Sequence, residues 1–241
     1  MDEKLPTIFH LTHWKAGSQW VREILYHSSP DRIVSQEPRI AQILEKPIKP
    51  SAIYPAVYLP RDEFEAVIKP HLSNLKFFIY RDLRDTLVSL YFSFKFSHPI
   101  LHDELEKHHS ILNSFGKDEG FRYLMDEYIE RISHIQLSWI GAEILKIRFE
   151  DLVENQVELF EEIISYCEIS VSRNKLHSII ENNRFEIKTG RNRGEEDITA
   201  HLRKGIVGDW KNHFSPAIKE EFKHRFGGTL IRTGYVASLD W

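Results

Sequence analysis

Cysteine and long apolar runs are nearly absent from this sequence of 241 residues, and each absence excludes a class of protein. The one cysteine, Cys167, cannot form an internal disulfide bond, and its amphipathic helical surroundings indicate a core position. No apolar run is long enough to cross a bilayer, and the first residues lack the basic and then apolar character of a signal peptide. We therefore expect a cytoplasmic protein without an integral membrane segment.

The sequence also lacks an excess of basic charge. It has 32 lysines and arginines against 36 aspartates and glutamates, which gives a formal net charge of -4. A general nucleic-acid binder needs a basic surface, so we expect no nucleic-acid partner. We find no residues at metal-ligand spacing and predict no metal. The hydrophobic residues, 41% of the chain, suffice for one substantial core, and we predict a single domain over residues 1–241.

Short apolar runs alternate with helical patterns along the chain. The runs at residues 7–12, 75–80 and 144–149 are rich in β-branched and aromatic residues, as in buried strands. Residues 29–60 are proline-rich and favour loops with one short strand or helix. We predict helices from Ser18 (as N-cap) to Leu25 and at residues 62–75 (broken at Pro70), 86–94, 120–140, 160–167, 174–183 and 216–226. This order predicts an α/β fold with a central parallel sheet flanked by helices on both faces, and ligands bind such sheets beyond the carboxyl ends of the strands.

A glycine loop joins the first predicted strand to its helix. Its sequence is Lys15-Ala16-Gly17-Ser18-Gln19-Trp20. A strand, a glycine loop and a helix N-terminus in this order direct backbone N–H groups at one point, and Lys15 adds positive charge there. The nucleotide P-loop ends in Gly-Lys-Ser/Thr, whereas here the lysine precedes the glycine. The loop is therefore a candidate anion site of another type, and a tight turn with a solvated lysine is the alternative.

The second predicted strand is followed by an arginine. The guanidinium of Arg81 is suited to hold a phosphate, and Ser89 interrupts the apolar face of the next helix. The alternative is an ion pair between Arg81 and Asp85, with Ser89 bonded to its own helix.

Paired cations and glycines recur between Arg203 and Phe214. Arg203 and Lys204 are followed by Gly205 and Gly208, and two cations on a glycine-loosened backbone suit a phosphate group. Acidic residues precede Arg203, so this stretch is a local cationic site in an acidic chain. The alternative is a solvated loop.

These three motifs, in this order, resemble the sulfotransferases that use 3′-phosphoadenosine 5′-phosphosulfate (PAPS). The family's Pro-Lys-Ser-Gly-Thr-Thr-Trp loop, which binds the 5′-phosphosulfate, is similar to residues 14–20 here. Arg81 and Ser89 stand where the family binds the 3′-phosphate. The family pattern Arg-Lys-Gly-x-x-Gly-Asp-Trp-Lys-Asn, which completes that site, closely matches the stretch from Arg203.

The resemblance implies a P-loop-like fold and a PAPS site. Trp20 and Phe185 are expected to pack on the adenine, while Phe149 and Asn183 stand where the family often has a tyrosine and a threonine near that ring. The complete set of implied cofactor-binding residues is Lys15, Ala16, Gly17, Ser18, Gln19, Trp20, Arg81, Ser89, Phe149, Asn183, Phe185, Arg203, Lys204 and Gly205.

The catalytic base is less evident. Many family members carry a catalytic histidine in a Thr-His-Leu-Pro segment, where this chain has Tyr58 before Leu59-Pro60. A tyrosine with an ordinary pKa of ~10 is a poor base at neutral pH. The other candidates are Asp62, Glu63, His13 beside the anion loop, and His98 in the segment expected to border the acceptor.

The resemblance implies sulfuryl transfer from PAPS to a hydroxyl or amine of a small acceptor, with adenosine 3′,5′-bisphosphate as the product. Lys15 is expected to neutralise charge on the bridging oxygen. Aromatic residues in the expected acceptor region favour an apolar or aromatic acceptor. Residues 211–220 match the family's dimer segment only in part, which leaves a homodimer open. The alternatives are a nucleotide-binding protein of the same fold without transferase activity and a P-loop-type nucleotide kinase.

Overall fold

The computed structural model describes residues 5–35, 46–68, 73–97 and 103–241, with side chains from residue 105 onward in the last range. It divides into two compact units, which we call the first unit (Met1–Arg81 with Ser138–Arg184) and the second unit (Asp82–Leu137 with Phe185–Trp241). Within the described ranges, no helix combines the length and the apolarity that crossing a membrane requires. The single domain over residues 1–241 stays a prediction.

The first unit contains a parallel sheet of four strands in the order β2-β1-β3-β4. These strands are β1 (Thr7–Leu11), β2 (Ile53–Val57), β3 (Asn74–Tyr80) and β4 (Leu145–Arg148). Phe77 of β3 lies opposite His10 on one side and Leu145 on the other. The three strands predicted from their apolar runs are therefore adjacent in the sheet, and β2 forms one edge.

Each strand is followed along the chain by one or more helices, as expected of an α/β protein. In chain order they are α1 (Ser18–Ser28), α2 (Arg61–Val67), α3 (Leu83–Phe92), α4 (Asp103–Ser114), α5 (Lys117–Leu124), α6 (Glu130–Ile140), α7 (Phe149–Glu154), α8 (Gln156–Tyr166), α9 (Arg173–Asn182), α10 (Phe185–Thr189) and α11 (Pro216–Arg232). Short 3-10 turns occupy Pro30–Arg32 and Asp209–Asn212, and π-helical turns occupy Ser93–Ser97 and Met125–Ile129.

Both faces of the sheet are covered within the first unit. Ile8 and Phe77 belong to one buried cluster with apolar residues of α1, α8 and α9. On the opposite face, Phe9 packs edge-on against Phe64 of α2, which packs against Trp139 of α6. Alternating strand residues point to opposite faces, and in β1 the apolar residues Ile8 and Phe9 are buried on the two sides. The predicted fold class, a central parallel sheet flanked by helices, is confirmed.

The second unit has an aromatic core. The ring of Phe121 lies 5.1 Å from that of Tyr91 and 5.6 Å from that of Phe214, between centroids. A Cβ atom added at Gly120 would come within 2.8 Å of the Tyr91 ring. Glycine at this position therefore permits the close approach of α3 and α5.

Several predicted boundaries differ from the structure. Gly17, rather than Ser18, is the N-cap of α1, and α3 begins at Leu83 because the Asp82 carboxylate accepts the N–H of Arg84 at 2.9 Å. Phe149 starts a helix instead of ending a strand, and α11 continues to Arg232. The predicted break at Pro70 lies outside the described residues.

Two histidines of the first unit are buried and neutral. The ring of His10 stacks on Phe77 with centroids 4.9 Å apart, and neither ring nitrogen has a hydrogen-bond partner among the described residues. Burial lowers the pKa of His10 to about 3, and chiefly burial lowers that of His13 to about 4. Protonation at mildly acidic pH therefore favours the unfolded chain.

We predict that acidification weakens folding through these histidines. Their pKa is depressed in the folded chain, so the unfolded chain alone takes up protons as pH falls below 6.5. Each histidine should cost about 2 kcal/mol of unfolding free energy between pH 7.5 and 5. Urea denaturation at both pH values would measure the loss, which His10→Leu should reduce by about half. The exposed control His224→Gln should retain the full loss, and an unchanged loss in His10→Leu would contradict the prediction.

Candidate functional site

The loop between β1 and α1 has the backbone geometry of an anion site. Lys15 and Gly17 both lie in the left-handed region, with φ of 67° and 79°. Gly17 is the N-cap and has no side chain that could satisfy the N–H groups of the first turn. The first turn of α1 contains no acidic residue. These N–H groups and the positive end of the helix dipole are therefore suited to an anion.

An aromatic ring makes glycine necessary at position 17. A Cβ atom there would lie 2.7 Å from the ring of Phe149, the first residue of α7. Real Cβ atoms do not approach a ring this closely, and the left-handed φ independently disfavours other residues. Phe149 thus packs against the candidate anion loop, a contact that the sequence motifs did not indicate.

Arg81 adds positive charge to the same loop. Its Nη1 donates to the carbonyl oxygen of Lys15 at 2.9 Å, and its guanidinium lies 4.6 Å from the centroid of the Phe149 ring. Burial, and then the charge of Arg81, lower the pKa of Lys15 to about 8. The charge of an anion bound between these cations would oppose both effects and favour the protonated lysine.

The side chain of His13 links the backbone after β1 to the backbone after β3. Its Nε2 accepts the backbone N–H of Arg81 at 3.1 Å, and its Nδ1 lies 2.9 Å from the carbonyl oxygen of Trp14. Nδ1 therefore carries the proton, and both ring nitrogens are engaged. The ring joins the ends of β1 and β3, and this geometry does not favour its predicted role as the base.

Tyr58, which the resemblance aligns with a catalytic histidine, faces the start of α1. Its hydroxyl donates to Ser18 Oγ at 2.7 Å, and its ring lies 5.0 Å from that of Trp14. Burial raises the pKa of Tyr58, while the hydrogen bond with Ser18 opposes the shift. The phenol is therefore a neutral donor and not a base.

The remaining predicted residues of the first unit differ in exposure. Ala16 is buried and Gln19 is exposed. Trp20 is partly buried, and its ring packs edge-on against Phe160 at 5.0 Å. Asn183 is buried, and its Nδ2 donates to the carbonyl oxygen of Ile179 at 2.8 Å. The Asn183 amide thus supports the end of α9.

In the second unit, a carboxylate near the start of α3 binds backbone N–H groups in the predicted phosphate-binding stretch between Arg203 and Phe214. Asp85 is buried and accepts the backbone N–H groups of Gly208 at 2.6 Å and Trp210 at 2.9 Å. Ser89, one helical turn further along α3, is half-buried. The sequence suggested Asp85 only as an ion-pair partner of an arginine, so its role as an anchor for this stretch was missed.

The cations Arg203 and Lys204 both contact Asp209. Lys204 Nζ lies 2.8 Å from one carboxylate oxygen of Asp209, and the Arg203 guanidinium pairs with the other. Among the described residues, four side chains donate to this carboxylate: Arg203, Lys204, Asn212 and His213. Burial opposes ionisation, but these hydrogen bonds hold the pKa of Asp209 well below its usual range. Asp209 therefore orients both predicted phosphate ligands, although the motif alone did not assign it a role.

Phe185 and Arg191 complete the packing of this stretch. A Cβ atom at Gly205, whose φ is 68°, would lie 2.8 Å from the Phe185 ring. Arg191 lies over the same ring at 5.4 Å and donates to the carbonyl oxygens of Arg203 and Glu195 at 2.7 and 2.8 Å. Arg191 thus shapes the backbone that carries the two cations.

One group of residues in the second unit has the spacing of metal ligands. Glu196, Asp209 and His213 place ligand atoms within 4.8 Å of one another. Arg203 and Lys204 already pair with these carboxylates, so a metal ion there would meet their positive charge. We interpret the group as an ion-pair network, and the predicted absence of a metal stays a prediction. Of the remaining candidate bases, Asp62 is exposed and Glu63 is half-buried, both in the first turn of α2, and His98 lies outside the described residues.

Comparison with known proteins agrees with this geometry. The chain matches the sulfotransferase domain family over residues 5–234. Human sulfotransferase 1C2 is 24% identical over 268 residues, which cover 91% of this chain and 83% of that protein. Mouse sulfotransferase 1E1 is 21% identical over 256 residues, which cover 89% of this chain and 80% of that protein. The crystal structure of a mouse sulfotransferase complexed with PAP superimposes with a TM-score of 0.67 at 19% identity, over 93% of this chain and 84% of that one.

The solved structure supports the fold, and the family match spans nearly the whole sequence. The resemblance suggested by the three motifs is thereby confirmed. The chain belongs to the sulfotransferase family.

Proposed function

We propose that this chain transfers a sulfuryl group from PAPS to a hydroxyl or amine of a small, apolar or aromatic acceptor and releases adenosine 3′,5′-bisphosphate (PAP). Family membership supports the reaction class. Structural relatives support the donor, because the mouse sulfotransferase and a retinol dehydratase were both solved with PAP. The acceptor class rests on the aromatic residues Trp14 and Tyr58, which pack together beside the anion loop.

The observation that carries the proposal is the position of Lys15. It lies on the glycine loop before α1, beside Arg81 and the N–H groups of the first helical turn. Sulfuryl transfer resembles phosphoryl transfer, in which catalysis is mainly positioning and charge stabilisation. Lys15 would neutralise the charge that develops on the bridging oxygen as PAP leaves. The N–H groups from Gly17 to Gln19 would bind the oxygens that are not transferred.

The other contacts with the nucleotide are assigned by the family motifs. Arg81, Ser89, Arg203 and Lys204 are proposed to bind the 3′-phosphate, and Trp20, Phe149, Asn183 and Phe185 to lie near the adenine. The pairing of Arg203 and Lys204 on Asp209 supports the first assignment, since it brings two cations to one place. A 3′-phosphate distinguishes PAPS from ATP, so these contacts would also select the donor.

Two alternatives make different predictions about ligands. A P-loop-type kinase would be stabilised by ATP–Mg²⁺ more than by PAP in thermal-shift measurements. A nucleotide-binding protein without chemistry would bind PAP but transfer no sulfate from PAPS to a panel of phenols, and Tyr58 at the position of the family's histidine keeps this alternative open. Stabilisation by PAP together with sulfate transfer to a phenol would support the proposed function and exclude both.

The cytoplasmic location, the absence of a nucleic-acid partner and the homodimer stay expectations from the sequence. The absence of a metal has a direct test. If the transfer needs no metal, EDTA should leave sulfate transfer unchanged.

We predict that Lys15→Ala lowers sulfate transfer by at least about 100-fold, because a preorganised charge at the leaving group is lost. Its thermal midpoint should stay near that of the unmodified chain. Transfer of labelled sulfate from PAPS to a phenol would measure the loss. The control Lys107→Ala removes an exposed lysine of α4 and should retain full activity. Near-normal turnover in Lys15→Ala would contradict the proposed mechanism.

We also predict that PAP affinity falls as pH rises above 8. The pKa of Lys15 in the free chain is about 8, and only its protonated form attracts the anion. The dissociation constant should rise about 25-fold between pH 7.5 and 9.5, because the protonated fraction of a group with a pKa of about 8 falls by that factor over this interval. Calorimetry across this range would detect the rise. Lys15→Ala should bind weakly with a flat profile, and an equally steep profile in that variant would assign the effect to another group.

A third prediction concerns selectivity for the 3′-phosphate. Arg203→Ala should weaken PAP binding about tenfold, the usual loss for one charged hydrogen bond, and leave AMP binding nearly unchanged. The ratio of the two dissociation constants is the measurement, because general damage to the fold would weaken both ligands. Arg232→Ala, an exposed arginine at the end of α11, is the matched control. Equal losses for PAP and AMP would remove Arg203 from the 3′-phosphate contacts.

A further inference from the structure

Strand β2 contains a bulge just before the candidate site. Phe9 of β1 pairs with Tyr54, and Leu11 pairs with Val57, so β2 has one residue more than β1 across this interval. Ala56 within the bulge has a φ of 72°, a left-handed conformation that is rare for a residue with a side chain. Bulges redirect the residues that follow them and are frequent beside active sites. Local strain of this kind persists where the surrounding structure holds it, often at functional positions.

The residue that the bulge redirects is Tyr58. The Val57 carbonyl oxygen accepts the N–H of Thr12 at 3.0 Å, which fixes the end of β2 beside the start of the anion loop. Tyr58 follows at once, with its ring against Trp14 and its hydroxyl 2.7 Å from Ser18 Oγ. Ser18 is the first residue of α1 and is largely buried.

The direction of this hydrogen bond decides what Tyr58 contributes. The phenol donates and Ser18 Oγ accepts. An oxygen that accepts one hydrogen bond keeps its own O–H as a donor. With its lone pair engaged by Tyr58, the Ser18 hydroxyl has its proton available for an anion at the N-terminus of α1. Burial raises the pKa of Tyr58 and keeps it in the donating form.

We propose that Tyr58 is a positioning residue that orients the Ser18 hydroxyl toward the 5′-phosphate of the nucleotide, and that the bulge at Ala56 exists to place it there. This inference rests on the proposed function, because it assigns a partner to the anion that PAPS and PAP share. It departs from the expectation that Tyr58 stands in for a catalytic base.

A double-mutant cycle tests the proposal. PAP affinity would be measured by calorimetry for the unmodified chain, Tyr58→Phe, Ser18→Ala and the double variant. Each single change should weaken binding about 3- to 10-fold, as expected for one hydrogen bond. The double variant should bind no more weakly than Ser18→Ala, because Tyr58 acts through Ser18. Losses that add, or Tyr58→Phe with unchanged affinity, would overturn the proposal.

A kinetic measurement separates positioning from base catalysis. With a phenol that the unmodified chain sulfates, Tyr58→Phe should raise the KM for PAPS and change kcat by less than about threefold, since a contact made equally in the ground and transition states alters KM alone. Loss of a general base would lower kcat roughly 100-fold or more. A fall of that size would overturn the positioning role.

The matched control is Tyr54→Phe. Tyr54 lies on the other side of the bulge, and its hydroxyl accepts the backbone N–H of Lys49 at 2.8 Å. This variant removes a hydroxyl from the same strand and should leave PAP affinity unchanged; an equal loss would assign the effect of Tyr58→Phe to general weakening of β2 and overturn the inference. If the unmodified chain itself fails to bind PAP, the proposed function fails. If it binds PAP and the cycle is additive, the inference alone fails.

Discussion

The ring of Phe149 is the contact on which the candidate anion loop depends. It occupies the space that a Cβ atom at position 17 would need, and the Arg81 guanidinium lies 4.6 Å from its centroid. Phe149 follows β4, Gly17 follows β1 and Arg81 follows β3, so one ring joins the loops at the carboxyl ends of three parallel strands. A bulkier residue at position 17 would displace this ring and, with it, the arginine. The residue at position 17 is therefore constrained by Phe149, which lies more than 100 residues further along the chain.

In the second unit, two buried carboxylates support the predicted phosphate-binding stretch between Arg203 and Phe214. Asp209 gathers Arg203 and Lys204, while Asp85 fixes the backbone at Gly208 and Trp210. A carboxylate between two cations also reduces their net attraction for any anion. Because charge attraction is weaker, binding would depend more on how well the ligand's oxygens match the positions of the oriented donors. If this stretch binds the 3′-phosphate as proposed, such an arrangement would favour that phosphate over other anions.

The sequence predicted the elements whose signals are local. The strands β1, β3 and β4 follow from compact apolar runs, and the order of strands and helices predicts the parallel sheet. β2 was less clear because Pro55 and the bulge interrupt its pattern, which an edge strand tolerates. The role of His13 as a connector, the Phe149 contact and the Asp209 network depend on contacts between distant segments. Residue spacing carries no signal for such contacts, so the anion-site motifs were recognisable while their supporting residues were not.

If Tyr58 stands where the family has its catalytic histidine, the proposed reaction needs its base from elsewhere or an acceptor that ionises without one. Both nitrogens of His13 are engaged, and the Tyr58 hydroxyl donates a hydrogen bond to Ser18 Oγ. These contacts do not favour either group as the base, which leaves Asp62, Glu63 and His98 as the other candidates. A general base contributes least when the acceptor ionises readily, because the proton is then lost with little help. An aliphatic alcohol needs such a base, whereas an acidic phenol does not. The aromatic acceptor proposed above, a phenol, is of the kind that needs the least help from a base.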